Sequence, residues 1–213
     1  MAIISQGILG GVSGKIGNVV GGSWKGIDYL RILPASVANP KTPAQMDQRS
    51  KFVTVIRFLQ PMVDFLRVGF KLYAIKMTQF NNAMSYNLHN AITGAYPDYT
   101  IDYAKALVSR GSLTGASGAS VASLSATSMA LSWLDNSGSG AALATDKSLL
   151  LAYHTSTGTV VYNTAGASRT TGEQNLTVPV ELAGGTFETF LGFISEDGKL
   201  VANSVYVGSV TLV

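Results

Sequence analysis

The sequence predicts an α+β protein with a glycine-rich N-terminal arm, a short helical region and a C-terminal antiparallel β-sandwich. Glycine-rich sequence without helical periodicity fills the first forty residues. Apolar side chains then recur at helical spacing, and beyond residue 112 they alternate between clusters of turn residues. We therefore place the domain boundaries at 1–41, 42–111 and 112–213.

The arm is predicted to lie against another surface rather than to fold by itself. Eight glycines fall between residues 7 and 26, and each raises the entropy cost of ordering the backbone. Residues 1–41 are therefore expected to form an extended arm or hairpin that contacts another subunit. Trp24 and Tyr29 are the predicted anchors, because aromatic side chains bury large areas, and Lys25 and Arg31 are predicted to flank them.

A helix is predicted from about Pro43 to Leu59. Thr42 fits an N-cap, Pro43 the first helical position and Gln45 the capping-box partner. Pro61 is expected to break or kink this helix. The predicted apolar face comprises Phe52, Val55, Ile56 and Leu59.

Two further elements complete the helical region. A short helix is expected to end at Gly69, and a second capped helix to begin at Thr78 and stop at Gly94. A turn at Pro97 then leads into a predicted strand. The expected buried positions of this strand are Ile101, Tyr103 and Leu107.

About seven short strands are predicted between residues 112 and 213. Turn sequences separate the alternating runs at 136–140, 155–158, 183–185 and 196–198. The predicted core comprises Leu131, Trp133, Leu149, Leu151, Tyr153, Leu176, Val178 and Ile194. The order of landmarks resembles a fibronectin type III module, with Trp133 on an early strand and an aromatic-bearing strand after it. Such domains serve adhesion or spacing more often than chemistry.

Composition favours a protein whose exterior is covered by partners. Only 13% of the residues are charged and the mean hydropathy is +0.26. Cysteine is absent, which excludes disulfides, thiolate metal sites and cysteine nucleophiles. Polar residues interrupt the apolar N-terminal stretch, so we expect neither Sec export nor a membrane span.

Charge is unevenly distributed along the chain. Ten basic residues against three aspartates give residues 15–76 a charge of +7, which leaves −4 for the remainder of a chain with net charge +3. Three interpretations of the basic part are open: it faces the acidic part of a neighbouring copy, it faces nucleic acid, or it faces solvent. Of the two partners, nucleic acid is the weaker prediction.

No enzyme active site is predicted. The segment 13–15 reads SGK, but Leu9 and Ile16 stand where a phosphate-binding loop needs glycine and a hydroxyl residue. His89 and His154 lie in different regions without metal-ligand spacing. No serine lies in a nucleophile elbow, and Asp98 and Asp102 fit solvated turn carboxylates. We therefore predict no catalytic residue, cofactor or metal.

The whole chain resembles an uncharacterised family of similar length found in Bacteroidota bacteria and their tailed phages. The motifs that carry this resemblance are GKIGNVV (14–20), SWKG (23–26), NPKTPAQ (39–45) with Gln48, Arg49, Lys51 and Phe52, MSYN (84–87) and NSVYVG (203–208). The resemblance implies a virion or phage-derived structural role and transfers no activity.

Two hypotheses of function follow. The first is a non-enzymatic subunit that self-assembles into a tail, neck or filament, together with other virion proteins, after synthesis in the bacterial cytoplasm. The second is a binding module whose sandwich engages glycan or protein, while the basic half attaches to nucleic acid or a scaffold.

Overall fold

The computed structural model describes residues 3–4, 11–24, 27–36, 39, 41–73 and 77–213. The chain divides into two compact units, Met1–Thr42 and Pro43–Val213. The first boundary lies within one residue of the predicted one. Helices and several antiparallel sheets coexist in the chain, so the predicted α+β class is confirmed.

The N-terminal unit is a four-stranded antiparallel meander in the order β1-β2-β3-β4. Gly17 takes a left-handed φ of +58° in the two-residue turn between β2 and β3, which glycine adopts without strain. From residue 11 onward, Gly21 is the only described residue of this unit that is buried, and a Cβ there would clash with the backbone oxygen of Val12. The strands are β1 (Ile3–Ile4), β2 (Val12–Ile16), β3 (Val19–Trp24) and β4 (Ile27–Ile32).

The first helical segment agrees with the prediction. Helix α1 spans Pro43–Leu59, a 3-10 turn carries Pro61, and α2 spans Val63–Gly69. The buried residues of α1 all lie in its C-terminal half; they are Val55, Phe58 and Leu59. Phe52, which was predicted on the buried face, is 49% exposed because it lines an open groove beside helix α3 (Gln79–Asn90) instead of the core.

The second helix begins as predicted but ends earlier. Helix α3 spans Gln79–Asn90, and the Thr78 hydroxyl accepts a hydrogen bond from the Asn81 amide at 3.2 Å. The predicted stop at Gly94 is wrong. Gly94 lies instead in strand β5 with a φ of +95°, where a Cβ would meet the backbone oxygen of Asp98.

Strand β5 (Ile92–Ala95) pairs with β6 (Asp98–Ile101) around the predicted turn at Pro97. The strand that was predicted to continue to Leu107 ends at Ile101. The Asn87 side chain supplies the missing partner, since it donates to the Leu107 oxygen at 2.9 Å and accepts from its amide at 3.0 Å. Ile101, Tyr103 and Leu107 are half-buried, whereas Ala106 and Val108 are buried.

Seven strands follow, which confirms the predicted number. They form a three-stranded sheet in the order β11-β8-β7 and a four-stranded sheet in the order β10-β9-β12-β13, all antiparallel. The chain crosses repeatedly between the sheets, as in immunoglobulin-like sandwiches. The strands are β7 (Ser117–Ser125), β8 (Ser128–Leu134), β9 (Lys147–His154), β10 (Val160–Asn163), β11 (Glu173–Thr177), β12 (Thr186–Ile194) and β13 (Val205–Thr211).

The four-stranded sheet of the sandwich is covered on both faces. Leu150 and Ala152 of β9 pack in the core between the two sheets, together with Trp133. Leu149 and Leu151 point the other way, into a core built with the helices. Both were predicted in the sandwich interior, but Leu150 and Ala152 occupy that side of β9, and alternation turns Leu149 and Leu151 toward the helices.

The other predicted core residues divide in the same way. Leu131, Trp133, Leu176 and Val178 are buried as expected, whereas Tyr153 and Ile194 are only half-buried at the helical core. The predicted boundary at 111/112 therefore runs through a shared core. Independent folding of residues 112–213 stays a prediction.

None of the helices in the described parts of the chain is both long and apolar enough to cross a membrane.

Candidate subunit interface

Strand pairing places three of the four predicted interface residues on one face of the N-terminal sheet. Directly opposed residues of antiparallel strands project to the same side. Trp24 lies opposite Ile27, and Tyr29 and Arg31 follow Ile27 at alternate positions of β4. We call this side the aromatic face; its larger side chains in β2, β3 and β4 are Lys15, Val20, Trp24, Ile27, Tyr29 and Arg31. Lys25, the fourth predicted residue, lies outside the described residues.

The opposite side, which we call the aliphatic face, was not anticipated from the sequence. Ile32 lies opposite Val19, and Val19 lies opposite Ile16. Leu30 adds to this apolar group, and Asp28 is the one charged residue that the described strands place on this side. The period-two pattern of β4 could have revealed this face once its pairing partners were known.

Both faces expose large apolar side chains. Trp24 is 64% exposed on the aromatic face and Leu30 is 62% exposed on the aliphatic face. Antiparallel sheets normally pack one face on a core and leave the other to solvent. A sheet with apolar side chains on both sides and one buried residue in its described part is therefore suited to contact a partner.

Strand β4 adds an exposed backbone edge to these faces. The sheet order places β4 at one end, and all six of its residues are exposed. Edge strands with apolar side chains and no proline can pair with another chain.

The basic segment is partly neutralised by local ion pairs. Lys51 Nζ lies 2.8 Å from Asp47 Oδ2, and Arg67 Nη1 lies 2.7 Å from Asp64 Oδ1. Tyr99 also donates to Asp47, and the hydrogen bonds from Lys51 and Tyr99 lower the pKa of Asp47. This cluster attaches the β5–β6 hairpin to α1, so the charges of Lys51 and Asp47 stabilise the fold.

The residues considered for catalysis or metal binding do not converge. His89 contacts the Ser85 oxygen on α3, whereas His154 contacts the Thr157 hydroxyl in the sandwich. A hydrogen bond donated by Lys105 lowers the pKa of Asp102. No group of three or more potential metal ligands occurs among the residues that the structure describes.

A buried polar network inside the sandwich was not predicted from the sequence. Arg169 is fully buried, and its Nη2 lies 3.0 Å from Asp146 Oδ2. Its Nη1 donates to Asn136 at 2.6 Å, and its guanidinium lies 3.8 Å from the centre of the Phe193 ring. Trp133 Nε1 donates to the Arg169 backbone oxygen at 2.7 Å. The network ties together loops at one end of the sandwich, and periodicity gives no signal for an arginine in a turn-rich segment.

Comparison with known proteins identifies the family of this chain. The family model of DUF6266, a family of unknown function, matches residues 11–208. The chain belongs to this family, whose match includes the described strands β2, β3 and β4 and the sandwich up to the middle of β13. No curated protein matches the sequence.

Proposed function

We propose that this protein is a non-enzymatic structural subunit that self-assembles through its N-terminal sheet into a larger particle or filament. The observation that carries the proposal is the pair of exposed apolar faces on a sheet whose strands β2, β3 and β4 hold a single buried residue. Burying apolar area releases about 25 cal/mol per Å², so covering these faces stabilises an assembly. We take a second copy of the chain as the partner, because further copies are present wherever the protein is made.

The resemblance to proteins of Bacteroidota and their tailed phages supports a virion as the assembly. A tail, neck or filament requires many copies of one subunit joined by repeated contacts. On this proposal the protein is made in the bacterial cytoplasm and ends in an extracellular particle. Other virion proteins are further expected partners.

The test compares two residues of equal exposure. Trp24 and Leu134 are each 64% exposed, but only Trp24 lies on the N-terminal sheet. We expect wild-type protein and the Leu134→Ala variant to form rings or filaments by negative-stain electron microscopy and mass photometry. The Trp24→Ala variant should remain in smaller species. A monomeric wild type contradicts the proposal, and a Trp24→Ala variant that assembles normally removes the aromatic face from the interface.

The alternative function is a binding module, and a separate observation supports it. A groove of about 470 Å³ between α1 and the β5–β6 hairpin is lined by Arg49, Arg57 and Tyr96, among others. Arginine contacts phosphates, and tyrosine stacks on unpaired bases. A gel-shift assay with non-specific DNA tests this function. Affinity that falls log-linearly with salt, without self-association, would favour it over assembly.

A further inference from the structure

Helices α1 and α3 form an apolar groove on the Pro43–Val213 unit. One part, of about 420 Å³, lies beside Phe52 and Val53, and an adjoining part of about 290 Å³ lies beside Phe80 and Met84. Phe52 and Leu88 line both parts, so the groove is continuous. We call it the helical groove.

The lining of the helical groove suits a protein surface better than a small molecule. Ligand pockets combine apolar walls with a few convergent polar groups that fix the ligand's orientation. Here the walls are mainly the side chains of two helices, and polar groups such as Gln48 and Ser85 lie in different parts of the groove. Phe52 remains 49% exposed, which leaves a large apolar side chain for a partner to cover.

We infer that the helical groove receives the aliphatic face of the N-terminal sheet of a second copy. This inference rests on the proposed function and names the acceptor surface for it. Leu30 and Ile32 are the principal inserting residues, because they are the most exposed members of that face. The contact is heterologous, so repetition produces a ring or an open filament.

Side-chain spacing matches on the two surfaces. Phe80, Met84 and Leu88 recur every four residues, which places them about 6 Å apart along the α3 axis. Residues on one face of a strand recur every second position, about 6.6 Å apart. Side chains from β4 can therefore insert between successive side chains of α3.

Charge selects the aliphatic face over the aromatic face. Arg49 is the charged residue that lines the larger part of the groove, beside Val53. The aliphatic face presents Asp28, which is of opposite sign, whereas the aromatic face presents Lys15 and Arg31. Placing those cations against Arg49 would bring like charges together in an apolar contact.

The absence of cysteine allows a direct test by disulfide crosslinking. Two variants that each carry one cysteine, Leu30→Cys and Phe52→Cys, are co-expressed with different tags and oxidised with diamide. A disulfide between the two tags must join different copies. The matched control is Ile27→Cys, because Ile27 is 67% exposed against 62% for Leu30 but lies on the aromatic face. Disulfides form only when the two Cα atoms are within about 7 Å.

We expect a dominant crosslinked dimer from Leu30→Cys with Phe52→Cys, and loss of that dimer when Ile27→Cys replaces Leu30→Cys. Val53→Cys, at the neighbouring exposed position, repeats the test if Phe52→Cys folds poorly. Crosslinking that is equal or stronger from Ile27→Cys overturns the choice of face. An intramolecular disulfide in the Leu30→Cys/Phe52→Cys double variant, with none between co-expressed single variants, shows that the sheet covers its own groove and overturns the inference.

Mass photometry separates this inference from the proposed function. If wild-type protein assembles but neither cysteine pair crosslinks, the helical groove is not the acceptor and the proposed function stands. If wild-type protein is monomeric, the proposed function fails and the inference fails with it.

Discussion

The N-terminal sheet and the four-stranded sheet of the sandwich differ in what covers them. Both are antiparallel, and both carry apolar side chains on two faces. Strand β9 is buried on both sides because the helices pack on one face and the second sheet on the other. Strand β4 has the same kind of two-sided apolar sequence, yet all six of its residues are exposed. A two-sided apolar strand thus requires two covers, which we propose the N-terminal sheet obtains from other copies.

The two tryptophans give the sharpest contrast in stability. Trp133 is 4% exposed and donates a hydrogen bond to Arg169, so Trp133→Ala should lower the free energy of unfolding by about 3 to 5 kcal/mol. Trp24→Ala, at an exposed position, should change it by less than about 0.5 kcal/mol. Urea denaturation of dilute protein measures both. Equal effects would show that the N-terminal sheet has a core of its own.

The buried ion pair should matter far more than an exposed one. Arg169→Ala leaves the Asp146 carboxylate buried without its cation, which should cost about 3 to 5 kcal/mol. Arg67→Ala removes the exposed pair with Asp64 and should cost at most about 1 kcal/mol. Thermal denaturation compares the two variants. A small effect at Arg169 would mean that the sandwich end tolerates rearrangement.

Strand β9 allows a test of its two covers. Leu149 contacts the helical core and Leu150 the sandwich core, and both are fully buried. Leu149→Ala and Leu150→Ala should therefore each cost about 2 to 5 kcal/mol by urea denaturation. A sandwich that is stable without the helices would predict a small effect at Leu149 alone, and that result would support independent folding of residues 112–213.

Alkaline pH should weaken the contact between the helices and the sandwich. The pKa of Tyr103 is raised from its usual value of 10.0 to about 12, mainly by burial and to a smaller extent by the nearby Tyr153 and Glu188. Between these values the unfolded chain loses a proton that the folded protein retains, so stability falls as pH rises from about 10 to about 12. Urea midpoints over this range should decline less steeply for Tyr103→Phe than for wild type. An identical decline would show that Tyr103 titrates normally.

Salt should have the smallest effect, on the rate of assembly. The charges of +7 and −4 on the two parts of the chain can attract neighbouring copies within a Debye length of about 8 to 10 Å. Raising the ionic strength should slow assembly, measured by light scattering, more than it dissolves finished assemblies, because exposed charges mainly steer encounter. Salt-independent assembly would contradict this electrostatic attraction.

Local signals in the sequence predicted individual elements well. The cap at Thr78 and the proline at Pro43 placed two helix starts, and turn residues separated the seven strands. Alternation along β4 places Tyr29 and Arg31 on one side, but Trp24 joins them only because it pairs with Ile27 across the hairpin. The end of the strand at Ile101 was missed because the side chain of Asn87, rather than a neighbouring strand, pairs with the backbone of Leu107.

The sequence alone determined the α+β class, the bounds of α1 and the number of sandwich strands, because capping, periodicity and turn chemistry act over a few residues. Tertiary structure alone decided that Leu149 packs against helices, that Phe52 stays exposed in a groove and that Arg169 is buried beside Asp146. Those outcomes depend on which distant surface covers a side chain. The sequence shows that a residue is apolar, but it does not show whether the same chain or a partner buries that residue.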